Sequence, residues 1–168
     1  MRLFISFNFD DKTTHELLEL QDCLRESGAR GNYTRSENLH MTAAFIGEYG
    51  NPDDVIDVME NVSFRPIDIR FDDLQLFREM YLLRVSQNPG LESYVRRLRR
   101  ALAENDIPYD KKKFSPHITL IRRVSFRNGE IEKPESIHVP YGTRVEHVSL
   151  MRSERGKNGM IYTELGSV

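Results

Sequence analysis

Residues 114–123 read FSPHITLIRR, a β-branched run suited to a core strand that nevertheless carries His117 and Thr119. In a strand, residues i and i+2 project to one face. These two polar side chains therefore stand together, with Ile118 and Leu120 opposite. Alone, the triplet reads as a hydrogen-bonded core histidine. It recurs, however, in residues 38–47, NLHMTAAFIG. There His40 and Thr42 share a face, while Met41, Ala43 and Phe45 turn to the other and are free to pack on a helix. One H-x-T carries little information; two in similar strands, about half the chain apart, carry much more.

The surrounding elements repeat as well. RLFISFNF (2–9) reads as a strand, followed by a capped amphipathic helix over 10–27 with Leu17, Leu20 and Leu24 on its apolar stripe. Residues 28–38, GARGNYTRSEN, read as a loop into the first motif strand, and 51–62 as a short helix with Pro52 near its start. Two strands, 64–77 and 79–87, lead to the clearest helix, 91–105. Its Leu91, Tyr94, Val95, Leu98, Ala101 and Leu102 follow the helical period. The second motif strand comes next. A polar stretch with Asn128-Gly129 follows, then strands at 135–140, 144–153 and 160–165, the last two joined by the hairpin RGKNG. Each histidine strand thus follows a long helix. The expected fold is α+β in a single compact unit over 1–168. It has two pseudo-symmetric lobes around 40–42 and 117–119, each an antiparallel sheet with helices outside, and a central cleft between them.

The chain has 168 residues, 39% hydrophobic and 30% charged, with net charge −2. That balance suits a soluble globular protein and argues against one that coats nucleic acid with a broadly basic face. It leaves room for a local phosphate grip, and short cationic clusters exist at 111–113, 122–123 and 152 with 155. No apolar run approaches the ~20 residues of a membrane span, and the opening segment lacks the pattern of a signal peptide. The single cysteine, Cys23 in the first helix, points to a reducing, cytoplasmic setting.

Paired histidines suit phosphoryl chemistry. With ordinary pKa values near 6.5, one neutral imidazole can take a proton from attacking water while one imidazolium protonates the departing oxygen. Threonine hydroxyls can donate to the non-bridging oxygens, and an arginine fork would strengthen that hold. Metal binding is the competitor, but the motif strands offer no Asp, Glu or Cys as a third ligand. His138 and His147 sit singly in apolar runs and read as structural; His15 reads as a helix-surface residue.

These residues resemble the 2H phosphoesterase superfamily, and within it the RNA 2′,3′-cyclic phosphodiesterases, also called bacterial 2′-5′ RNA ligases. The resemblance rests on RLFISFNF, NLHMTAAFIGEY, FSPHITLIRR and the closing hairpin, nearly the whole chain. Ala43 departs from the family's usual leucine, on the side away from the histidines. The resemblance implies a two-lobed fold with the motif strands lining the cleft and no metal or cofactor. It implies His40 as proton donor, His117 as proton acceptor, and Thr42 and Thr119 on the phosphate. It also implies an arginine five residues after the second histidine, Arg122, although strand parity favours Arg123. The implied reaction is hydrolysis of RNA or small-nucleotide 2′,3′-cyclic phosphates to the 2′-phosphomonoester. The alternatives are 2′-5′ ligation or 2′-5′ phosphodiester cleavage at the same site, or a non-catalytic module that binds RNA ends. A monomer is expected, since one chain supplies both halves of the site. Tyr33, Tyr49, Phe7 and Phe77 are candidates to stack on a base.

Overall fold

The computed structural model describes residues 1–126 and 137–168. In chain order it contains β1 (Arg2–Asn8), α1 (Asp11–Glu26), β2 (Ala29–Tyr33), a 3₁₀ turn (Ser36–Asn38), β3 (His40–Glu48) and α2 (Pro52–Glu60). Then come β4 (Ile67–Phe77), β5 (Met80–Val85), α3 (Pro89–Glu104), β6 (His117–Phe126), β7 (Gly142–Val145), β8 (Val148–Gly156) and β9 (Gly159–Ser167). The strands form two antiparallel sheets, one ordered β3-β1-β8-β9 and the other β2-β6-β5-β4-β7. The α+β class with two antiparallel sheets and packed helices is as the sequence implies, and each sheet owns one motif strand.

The helices begin where their caps say. Asp10, Asn51 and Asn88 each accept a backbone N–H of the first turn, and Pro52 and Pro89 sit where a missing N–H costs nothing. The predicted stripe of α3 is buried at Leu91, Tyr94, Val95, Leu98 and Leu102. In α1, Leu17, Leu20 and Leu24 are buried as expected, and so is Gln21.

Three expectations change. The segment read as a loop contains β2, an edge strand paired with β6. Its Arg30, Gly31 and Asn32 are exposed, so no alternation marks it. Its backbone comes so close to β6 that a Cβ on Gly31, at φ +150°, would meet the Arg122 carbonyl at 2.7 Å. Residues 144–153 are not one strand. β7 ends at Val145 in the five-stranded sheet, and β8 begins at Val148 in the other, so residues 146–147 carry the chain between sheets. The strand expected over 135–140 is absent at 137–140. Its first two residues, with Asn128-Gly129, lie outside the described residues.

Candidate active site

Both motif histidines open their strands, and both are anchored the same way. His40 Nδ1 lies 2.6 Å from the Asn38 carbonyl, and His117 Nδ1 lies 2.7 Å from the Ser115 carbonyl. A carbonyl only accepts, so each Nδ1 carries the hydrogen and each neutral ring keeps its lone pair on Nε2. At His40 the Thr42 hydroxyl lies 3.1 Å from Nε2. Phe4 and Tyr162 flank the His40 ring, with centroids 5.0 and 5.4 Å away. Burial is the main cause that pushes both histidines below their ordinary value. The positive charge of Arg122 adds to this at both, Arg84 at His117, and His117 itself at His40.

Both motif strands lose their alternation at the same place. Burial along β3 falls on Met41, then on Ala43 and Ala44 together; along β6 it falls on Ile118, then on Leu120 and Ile121 together. The pairing register explains this. Ser6 and Ile5 of β1 face Thr42 and Ala44, so β3 carries one extra residue. Leu82 and Tyr81 of β5 face Thr119 and Ile121, so β6 carries one too. A bulge of this kind re-aims every side chain after it. Phe45 therefore turns to the cleft, not to a helix as simple alternation implied. Arg122, five residues after its histidine, does likewise. Arg123 adopts φ 52°, a second irregularity in β6, and lines neither arm of the cleft described below.

At each bulge a helix side chain donates to a strand carbonyl; that of Leu120 also accepts the Thr34 N–H at 3.0 Å. Gln21 of α1 donates Nε2 to the Leu120 carbonyl at 3.0 Å and to the Thr34 carbonyl at 2.9 Å. Arg99 of α3 donates Nε to the Ala43 carbonyl at 3.2 Å and Nη1 to the Lys112 carbonyl at 2.8 Å. Neither residue was singled out from sequence. The available signal was a polar residue on or beside an apolar helical stripe, Gln21 four after Leu17 and Arg99 four after Val95.

The cleft has two arms. One, of about 390 Å³, is lined by His117 with Thr42 and Phe45; the other, of about 760 Å³, by His40 with Thr119 and Arg122. Each arm thus combines the histidine of one motif strand with the threonine and fifth residue of the other. They meet at the His40–Thr42 contact and where Arg122 Nη1 approaches the Met80 sulfur at 3.6 Å. Of the aromatic candidates, Tyr33 lines the second arm and Phe77 the first. Phe7 is fully buried against Phe64 and Tyr94, so no base can stack on it. Tyr49 donates to Asp54 away from both arms. Tyr162 enters the second arm unpredicted. His138 and His147 are exposed rather than structural, and His15 pairs with Glu19 on the helix surface. Among the described residues no group of three or more His, Cys, Asp or Glu is placed to hold a metal ion. No helix among them is long and apolar enough to cross a membrane.

The whole chain has known relatives. It is 28% identical to a protein of Methanothermobacter thermautotrophicus named RNA 2′,3′-cyclic phosphodiesterase, over 98% of this chain and 96% of the relative. It is 24% identical to a protein of the same name from Methanocaldococcus jannaschii, over 96% of each. Among solved structures, E. coli LigT in complex with NADP+ superposes with a TM-score of 0.80 at 21% identity, covering 99% of this chain and 95% of that one. The sequence model of the 2′-5′ RNA ligase superfamily matches residues 10–157. The chain therefore belongs to the 2′-5′ RNA ligase superfamily, the 2H phosphoesterases, and carries that family's two-sheet fold.

Proposed function

We propose that the protein hydrolyses 2′,3′-cyclic phosphates at RNA ends or on small nucleotides, giving the 2′-phosphomonoester without a metal ion. One observation carries this reading. Two imidazoles, each fixed through Nδ1 to a backbone carbonyl, keep Nε2 for proton transfer, one ring lining each arm of the cleft. Each arm also holds the other strand's threonine. The names of the relatives support the choice of substrate.

In the reaction, Nε2 of neutral His117 takes a proton from water as the water oxygen attacks phosphorus. The bond from phosphorus to the 3′ oxygen breaks, and His40, protonated, gives its Nε2 proton to that oxygen. Thr42, Thr119 and Arg122 hold the non-bridging oxygens as charge accumulates on them. Pre-fixed donors need no reorganisation during the step, and each positioned proton carrier contributes about 10²–10⁴ in rate. The working unit is the monomer, because both proton carriers come from one chain.

The test is turnover of an oligonucleotide ending in a 2′,3′-cyclic phosphate, in EDTA, with the product identified by mass. A 2′-phosphate product is expected, with His40→Ala and His117→Ala each slower by about 10²–10⁴. Absence of turnover, or turnover indifferent to both substitutions, rejects the reading. A joined 2′-5′ product would assign ligation instead.

A further inference from the structure

The two arms differ in chemistry although the strands that build them are alike. At the fifth residue after its histidine, β6 carries Arg122 and β3 carries Phe45. Besides Phe45 the smaller arm is lined by Phe114, Met80, Leu82 and Phe77, the last an apolar ring left 46% exposed with the Arg78 guanidinium 5.4 Å from its centroid. Along with Arg84 and Arg99, Lys112 and Lys113 line the same arm, four cations against the one carboxylate of Asp110. Their backbone is held in place, since the Lys112 carbonyl accepts from Arg99 and its N–H donates to Asp110 at 3.0 Å. An aromatic wall accepts any heteroaromatic ring through its π-face. Two ammonium groups beside it favour an anion attached to that ring's sugar.

We propose that this arm is the subsite for the last nucleotide of an RNA end: its base stacks on Phe77, and its 5′-side phosphate is held by Lys112 and Lys113. The protein then prefers a substrate with a phosphate on the 5′ side over a free cyclic mononucleoside. The inference rests on the hydrolytic reading above and deepens it. It is compatible with in-line attack. The line from water to the 3′ oxygen joins the two histidines, and the base sits beside the 2′ carbon. The 2′ oxygen is equatorial at phosphorus, so the base projects sideways from that line. A volume of about 390 Å³ falls within the usual range of small-molecule sites.

The experiment compares kcat/KM for adenosine 2′,3′-cyclic phosphate, its 5′-phosphorylated form and ribose 2,3-cyclic phosphate, with the wild type, Phe77→Ala and the double substitution Lys112→Ala/Lys113→Ala. All three side chains are exposed, so the variants keep the fold. The preference for the base-bearing substrate over the baseless one is expected to fall about five- to tenfold in Phe77→Ala. The preference for the 5′-phosphate is expected to vanish in the lysine variant, and to weaken with salt in the wild type. An unchanged base preference in Phe77→Ala overturns the stacking assignment, and an unchanged 5′-phosphate preference in the lysine variant overturns the phosphate assignment. If the wild type turns over none of the three, the hydrolytic reading has failed. Titration with adenosine 5′-monophosphate against ribose 5-phosphate then decides the subsite alone. Weaker nucleotide binding by Phe77→Ala, about five- to tenfold, with ribose 5-phosphate binding unaltered, upholds it, and equal binding removes it.

Discussion

His40 and His117 occupy their folded positions at a cost that depends on acidity. Both are held below the ordinary histidine value, first by burial and then by nearby positive charge. An acid–base pair works when one ring is protonated and the other is not, so the kcat/KM profile peaks between the two values of the free protein. That peak is expected below pH 6.5, and a measured optimum above pH 7.5 would contradict the assignment of this pair. The kcat profile is expected to lie at higher pH, because a bound phosphate favours the imidazolium form. The same displacement makes stability depend on pH. For a group whose folded value is depressed, the unfolded chain binds more protons as pH falls. The native state is therefore unpenalised above about pH 6.5 and loses stability below it. Replacing both histidines with asparagine is expected to flatten urea midpoints between pH 7 and 5. Equal slopes in the variant and the wild type would place the acid sensitivity elsewhere.

At the scale of elements, the paired bulges set which side chains meet in the cleft. His-x-Thr was legible because it lies before each bulge, where period two still holds. Phe45 and Arg122 lie after it, and no local feature of TAAF or TLIR announces an extra residue. Arg122 was reached through family resemblance, against the parity argument, and the bulge is the physical reason for the difference. β2 was illegible because it is an edge strand with little buried surface, and the break between β7 and β8 because two strands of different sheets run together as one apolar-rich segment. The helices, which bury a full stripe, were read closely. The side chains that donate to the bulge carbonyls supply a test. Gln21→Leu is expected to cost about 1–3 kcal/mol, since it strips the Thr34 carbonyl of its side-chain donor while Leu120 keeps only the Thr34 N–H. Chemical denaturation measures this, and a loss under about 0.5 kcal/mol would mean that water serves the Thr34 carbonyl as well. Gly31→Ala is expected to be destabilising by about 1–3 kcal/mol through the clash with the β6 backbone. Because it presses on the Arg122 carbonyl, it is also expected to raise KM for the cyclic phosphate. A KM equal to the wild type's would show that β2 does not hold Arg122 in place.

For the molecule as a whole, the order β3-β1-β8-β9 joins the earliest strand of the chain to two of the latest. During synthesis, β1 and β3 can pair as soon as both have emerged, which brings His40 beside β1. The other edge of β1 then stays open until β8 is made. Such a pairing closes a very long loop and forms slowly, and an unpaired apolar edge invites association with other chains in the interval. The His40 half of the proposed reaction centre thus has its neighbouring strand long before the sheet is closed by β8. A ribosome stalled ahead of β8 would hold a nascent chain with one histidine in place and a sticky flank, a natural substrate for a chaperone.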